Sequence, residues 1–207
     1  MAFEGKILPV VIHGDPVLHQ RAAEVQEIND DVRQLVADMH TTQEAARGVG
    51  LAAPQVGVGL RIFTWEYEKT GDAPNKGEVL NPVLTLLGKV SQEDPDPEHE
   101  TEGCLSVPAL GFPLKRSDHV RLQGFDVNGE TIDFEAYGWF ARILQHEFDH
   151  LNATLYVNRL NTRWAKRWKK ELRKHGWTKP GNTWMPGEDA DPFGHDEEHD
   201  DQEVNQA

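Results

Sequence analysis

The chain has 207 residues, a formal net charge of −14 and a mean hydropathy of −0.62. No segment approaches the roughly 18 apolar residues that span a bilayer, and the N-terminal run lacks the basic start of a secretory signal. We therefore expect neither membrane insertion nor secretion. The one cysteine excludes an internal disulfide and favours a reducing cytoplasm.

Charge divides the chain into three parts. Residues 1–158 carry 12 basic and 25 acidic side chains, residues 159–179 carry 9 and 1, and residues 180–207 carry none and 9. The first part has an ordinary size for a domain with one core. We predict a globular domain over 1–158, a basic helix with tryptophans over 159–179, and a disordered acidic tail over 180–207. The tail has too few large apolar residues to offset the entropy of ordering.

Apolar residues recur at helical spacing up to residue 47, which predicts a helix there. A glycine-rich segment, GVGLAAPQVG, follows at 48–57. Gly48, Gly50 and Ala53 formally fit the GxGxxA pattern of dinucleotide binding, but that pattern must follow a strand. We therefore predict that Gly48 is the C-terminal cap of the helix and that the glycines admit a close backbone approach.

The middle of the chain is rich in β-forming residues. Segments 60–67 and 78–87 are predicted strands, and an Asn-Gly pair between 119–127 and 130–137 indicates a hairpin. That hairpin leads into an amphipathic helix over 138–152. The predicted fold class is α+β, with mostly antiparallel sheets around this central helix and a further helix near the C-terminus.

The predicted central helix contains the heptapeptide QHEFDHL, which includes His146, Glu147 and His150. Residues four positions apart lie on one helix face, so both imidazoles could bind one metal ion while Glu147 acts on a metal-bound water. Two solvent-facing histidines in a charged helix are the alternative interpretation, because HExxH also arises by chance. A third ligand is needed to decide between them.

The sequence offers two candidates for that third ligand. Glu171 has a suitable position for a metallopeptidase, but its surroundings, KKELRK, are typical of a solvated, ion-paired helix face. Cys104 lies in the segment EGCLSVP, and a lone cysteine is most often a small buried hydrophobe. A thiolate with two imidazoles, however, leaves the fourth tetrahedral position open for water, as catalytic metal sites require.

The segments GVGLAAPQVG, EGCLS at 102–106 and QHEFDHL at 145–151 occur together in this order, and over roughly residues 5–160 the chain resembles bacterial peptide deformylases. The resemblance implies hydrolysis of the N-formyl group of formyl-methionine on newly made polypeptides, with release of formate. It implies that residues 1–158 are the catalytic domain. It also implies that Cys104, His146 and His150 are the metal ligands.

The same resemblance implies further roles. Glu147 would act as general base and then acid for a metal-bound hydroxide that attacks the formyl carbon. The Gln55 side chain and the Leu105 backbone N–H would hold the developing oxyanion, and the backbone of Val49 and Gly50 would pair with the peptide substrate. The family precedent for the divalent metal is Fe²⁺, although the donor set also suits Zn²⁺, Ni²⁺ or Co²⁺. We expect a monomer.

Residues 161–179 resemble the basic C-terminal helix that docks on the ribosome in some family members, and a solvated helix anchored by its tryptophans is the alternative. Two other functions stay open: a metallopeptidase with Glu171 as third ligand, and a non-catalytic ribosome- or RNA-binding protein. One departure from the family pattern is Ala153, where a glycine is usual. We expect it to alter the end of the central helix.

Overall fold

The computed structural model describes residues 3–67, 71 and 73–194, which form an α+β structure with antiparallel sheets, as predicted. Its helices are α1 (Asp30–Ala45), α2 (Gly138–His150) and α3 (Thr162–Lys174). Its strands are β1 (Val10–Val11), β2 (Gly50–Ala52), β3 (Ile62–Glu66), β4 (Lys76–Leu86), β5 (Thr101–Cys104), β6 (Val107–Pro113), β7 (His119–Phe125), β8 (Thr131–Tyr137) and β9 (Thr183–Trp184). None of the helices in this part of the chain has the length and apolar character needed to cross a membrane.

The strands form a five-stranded sheet in the order β2-β3-β4-β7-β8 and two small sheets, β1-β9 and β5-β6. The segment predicted as a strand at 60–67 contains β3, and the one at 78–87 covers β4 except for its first two residues. The predicted hairpin is confirmed, because β7 and β8 pair along their whole length. Gly129 takes a left-handed φ of 84° in the turn between them.

Helix α2 packs on the five-stranded sheet and is largely buried. The Phe140 ring stacks on Phe134 of β8 with centroids 5.9 Å apart and lies 6.3 Å from the Trp65 ring of β3. The buried part of α2 also includes polar side chains: Gln145, His146, Glu147, Asp149 and His150. Buried polar groups need partners. The hairpin β5-β6 and the loop after it supply most of them.

Helix α1 begins after its cap Asn29, whose side chain accepts a backbone N–H of the first turn, and ends at Ala45. The prediction that Gly48 caps its C-terminus is wrong by one position. Arg47 takes the left-handed conformation there, with a φ of 50°. The chain then passes into β2, so the glycines follow a helix and not a strand. This order excludes the dinucleotide-binding interpretation.

The basic segment forms a shorter helix than the predicted 161–179, because α3 ends at Lys174 and Gly176 turns the chain with a φ of 69°. Trp168 is buried and Trp164 partly buried against the cluster around Phe112. The seven lysines and arginines of α3 are all exposed. The helix therefore has an apolar face on the domain and a basic face towards solvent.

The chain after α3 returns to the N-terminal strand. Strand β9 pairs with β1, and Trp184 is buried against Val10 and Ile12. The predicted disorder from residue 180 onwards is therefore wrong as far as residue 194. The backbone pairing, the burial of Trp184 and the partial burial of Phe193 stabilise this segment. Its acidic composition gave no sign of these contacts. Residues 195–207 of the predicted tail lie outside the described residues.

Candidate active site

Three potential metal ligands meet at the junction of β5 and α2. Cys104 is the last residue of β5, and His146 and His150 lie one turn apart on α2. Ligand atoms of all three lie within 4.8 Å of one another, and the Cys104 Sγ is 3.3 Å from the His150 Nε2. All three side chains are buried. One soft thiolate and two imidazoles fit a divalent transition metal such as Fe²⁺, Zn²⁺, Ni²⁺ or Co²⁺.

Glu102 holds one of these histidines in place. Its Oε2 lies 3.1 Å from the His146 Nδ1, an arrangement that favours the ring proton on Nδ1 and leaves the Nε2 lone pair for a metal. Burial opposes a charge on Glu102, but hydrogen bonds from Arg116 and His146 outweigh it and hold the pKa of the carboxyl well below its ordinary value. Arg116 reaches both oxygens at 2.8 and 2.9 Å, and Arg142 donates to one at 2.7 Å.

Glu147 is 3% exposed and lies directly beneath β2. A Cβ at Gly50 would come within 2.5 Å of the Glu147 Oε1, so only glycine lets the strand pass this closely. Burial raises the pKa of Glu147 to about 7, against the opposing effect of the His146 and Arg116 charges. The Oε2 atom has no hydrogen-bond partner among the described residues. A buried carboxyl that titrates near neutral pH is suited to proton transfer.

Gln55 and Leu105 flank the cysteine on two sides. The Gln55 Oε1 accepts the Ala52 backbone N–H at 2.8 Å, which turns the amide nitrogen towards the Cys104 Sγ at 3.7 Å. Leu105 lies in the two-residue turn between β5 and β6, and its carbonyl accepts the indole N–H of Trp184 at 2.9 Å. Both residues line the same cleft.

The cleft has a volume of about 210 Å³ and is bordered by the edge strand β2. Seven of the eight predicted site residues line it: Val49, Gly50, Gln55, Cys104, Leu105, His146 and Glu147. The eighth, His150, is fully buried beside Cys104. The Val49 carbonyl accepts the Glu66 N–H, so by alternation along the strand the backbone groups of Gly50 point to the unpaired side.

Glu171 is not part of this cluster. It lies on α3, where its carboxylate is 3.5 Å from the Lys174 Nζ and 3.7 Å from the His175 Nε2. Within the described ranges, neither group of side chains that could hold a metal includes it. The structure thus brings Cys104, and not Glu171, to the two histidines.

The sequence interpretation missed several residues of the site. Glu102 stands inside the EGCLS motif, and its position two residues before a candidate ligand was an available signal. Arg116 and Arg142 gave no such signal, because a sequence does not distinguish a buried arginine from one on the surface. Trp184 and Phe193 were also missed, since they lie in a segment whose composition indicated a tail.

A buried cysteine and two imidazoles, beside a carboxyl group whose pKa is raised to about 7 and in a cleft bordered by an edge strand, define a hydrolase with a candidate metal centre.

Comparison with known proteins identifies the family. A family model described as polypeptide deformylase matches residues 7–166. Peptide deformylase 2 of Corynebacterium efficiens is 44% identical over 190 residues, which cover 92% of this chain and 98% of that protein. The peptide deformylase of Mycolicibacterium vanbaalenii is 45% identical over 196 residues, which cover 91% and 99%. The chain belongs to the polypeptide deformylase family and is an enzyme of that family.

Solved structures of the family have the same fold. The peptide deformylase of Thermus thermophilus superposes with a TM-score of 0.70 at 32% identity, covering 83% of this chain and 98% of that one. The peptide deformylase of Synechococcus elongatus in complex with actinonin gives a TM-score of 0.69 at 34% identity, covering 82% and 86%. The α+β fold predicted from the sequence is thus the fold of the family.

Proposed function

We propose that this enzyme is a metal-dependent hydrolase that removes the formyl group from N-terminal formyl-methionine of newly made polypeptides and releases formate. The observation that carries the proposal is the convergence of Cys104, His146 and His150 beside Glu147, at the end of a cleft bordered by an edge strand. An edge strand can pair with an extended peptide through main-chain hydrogen bonds. The backbone of Gly50, with the neighbouring Val49, would align the substrate in this way. The expected cytoplasmic location follows from that substrate.

A divalent cation held by Cys104, His146 and His150 would lower the pKa of a water molecule from 15.7 towards about 7 and polarise the formyl carbonyl. Glu147 would accept a proton from the attacking water and return it to the departing amine. As the formyl carbon is attacked, negative charge develops on its oxygen. The Gln55 amide and the Leu105 N–H would donate to that oxygen, and each such donor typically contributes about 3 kcal/mol.

The direct test is formate release from a short formyl-methionyl peptide by the metal-loaded enzyme. We expect release by the wild type and loss of at least about 100-fold in kcat in Glu147→Gln, which keeps the shape of the side chain but cannot accept the proton. Glu171→Gln is the matched control and should leave kcat unchanged. A metal-replete wild type that releases no formate would favour a non-catalytic RNA-binding protein instead.

Metal binding is tested separately from turnover. Cys104→Ser should strongly reduce the bound metal measured by elemental analysis after anaerobic purification, whereas Glu171→Gln should not. Loss of metal only in the Glu171 variant would support the metallopeptidase alternative. The same measurement on wild type identifies the metal, for which we propose Fe²⁺ on the precedent of the family. The purification is anaerobic because iron beside a thiolate is sensitive to oxidation.

We further propose that α3 contacts the ribosome, through the exposed basic face opposite Trp168. Exposed lysines and arginines on one helix face are the usual footprint of phosphate contacts. Two of these side chains also lie over aromatic rings, since the Arg163 guanidinium is 4.8 Å from the centre of the Trp164 ring and that of Arg167 is 5.9 Å from it. This contact would place the enzyme close to nascent chains without contributing to the hydrolysis itself.

A further inference from the structure

The chain beyond the matched part of the family model reaches the active site. The family match ends at residue 166, yet Phe193 lines the cleft and Trp184 donates its indole N–H to the Leu105 carbonyl at 2.9 Å. The two rings are in contact, with centroids 6.0 Å apart. We propose that Trp184 is a positioning residue for deformylation, which acts by fixing the turn that carries the Leu105 N–H.

The turn is held from outside at both of its residues. Leu105 and Ser106 connect β5 to β6, between the paired residues Cys104 and Val107. Trp184 binds the first carbonyl, and the backbone N–H of His13 binds the carbonyl of Ser106 at 3.0 Å. Trp184 lies in β9, and His13 comes two residues after its partner strand β1, so one bond comes from this two-stranded sheet and the other from the chain just beyond it.

Trp184 is itself firmly placed. It pairs with Val10 across the β1-β9 sheet, and its side chain is 8% exposed in a cluster with Ile12 and Ala46. A buried indole N–H requires an acceptor, and the Leu105 carbonyl is the one that it finds. The bond therefore couples the β1-β9 sheet to the turn.

This coupling matters because an oxyanion donor acts only if it is placed before the reaction. The direction of the Leu105 N–H depends on the orientation of the peptide plane that contains it. The hydrogen bond from Trp184 to the carbonyl of the same residue restrains the dihedral angles of Leu105. Cys104, directly before the turn, is a proposed metal ligand. A small rotation here would move a donor relative to the reacting formyl group, and such displacements lower kcat more than substrate affinity.

The proposal rests on the proposed function, and two complementary substitutions test it in the full-length, metal-loaded enzyme. Trp184→Phe keeps an aromatic ring but removes the N–H. Trp184→His keeps a ring N–H at the same distance from Cγ but removes the larger ring. Trp164→Phe is the matched control, because Trp164 packs near Phe112 in a different cluster and is not among the residues that pack with Trp184.

We expect Trp184→Phe to lower kcat by about 10-fold, with KM changed by less than about twofold and metal content unchanged. Trp184→His should retain a higher kcat than Trp184→Phe, even if its thermal midpoint is lower. Equal kcat in Trp184→Phe and Trp164→Phe would overturn the proposal. So would a kcat that follows thermal stability, with the His variant below the Phe variant. An inactive wild type would instead refute the proposed function.

Discussion

Gly50 is required for a steric reason. Its φ is not in the left-handed region, so another residue could adopt its backbone conformation, but a Cβ would lie 2.5 Å from the Glu147 Oε1 and 2.8 Å from its Cγ. The glycine thus sets the distance between the edge strand and the proposed proton carrier. The absence of a Cβ at position 50 therefore allows Glu147 to lie this close to β2.

Gly50→Ala should therefore displace Glu147 or β2. We expect kcat for a formyl-methionyl peptide to fall by about 100-fold, because a displacement of about 1 Å is enough for such a loss. Overpacking should also cost about 1–3 kcal/mol of unfolding free energy. Gly59→Ala is the matched control, since the nearest atom to its added Cβ is 3.8 Å away. Wild-type kcat in Gly50→Ala would contradict this account.

Ala153 has a strained backbone conformation. It follows α2 and has a φ of 60°, a region that costs a non-glycine residue about 1–2 kcal/mol. We expect Ala153→Gly to raise the unfolding free energy by roughly 0.5–1 kcal/mol, part of the strain relief being offset by the greater entropy of glycine in the unfolded chain. Denaturant unfolding measures the change in unfolding free energy. Ala45→Gly in α1 is the control and should lower the unfolding free energy. If both substitutions lower it, strain at Ala153 is refuted as the explanation.

At the scale of elements, α3 anchors its tryptophans on the domain and presents its charges to solvent. Removal of residues 159–207 would be a poor test of ribosome binding, because it also removes Trp168 from the core and the hydrogen bond from Trp184 to the Leu105 carbonyl. Charge reversal on the exposed face of α3 avoids this problem.

The double variant Lys166→Glu and Lys170→Glu should weaken cosedimentation with ribosomes at low salt, because each lost phosphate contact reduces the electrostatic part of binding. Deformylation of a short peptide should be unchanged, since neither residue lines the cleft. Arg21→Glu with Lys89→Glu gives the same change in net charge on exposed residues elsewhere. If both double variants cosediment with ribosomes as strongly as the wild type does, α3 is not the contact.

The elements that could be predicted from the sequence are those with local information. The spacing of His146 and His150 on one helix and the Asn-Gly turn between β7 and β8 depend on near neighbours, and both are present in the structure. The pairing of β9 with β1 joins residues more than 170 positions apart, and nothing local indicates it. Acidic composition around Trp184 suggested disorder, because composition does not reveal which partner an aromatic residue will find.

At the scale of the whole molecule, one buried ionic network joins the elements that form the site. Glu102 of β5 pairs with Arg116, which follows β6, and with Arg142 of α2. Arg116 also binds Asp149 at 2.7 Å, and Asp149 binds Arg159 beyond α2. The network thus fixes the β5-β6 hairpin, which carries Cys104, against the helix that carries the histidines. Removal of the Glu102 charge would leave buried Arg116 with one carboxylate partner, Asp149, and would take from Arg142 the carboxylate that it binds at 2.7 Å.

Glu102→Gln should consequently destabilise the protein by about 3–5 kcal/mol at neutral pH. Because the folded-state pKa of Glu102 lies well below its ordinary value of 4.5, its charge stabilises the fold above that pH, and the contribution is lost as pH falls towards the folded-state pKa. The difference in unfolding free energy between wild type and variant should therefore shrink below about pH 4.5, when metal-free protein is compared. Glu66→Gln, which breaks the exposed pair with Lys76, should cost less than about 1 kcal/mol. A difference that stays constant down to acid pH would show that the stabilisation does not depend on ionised Glu102.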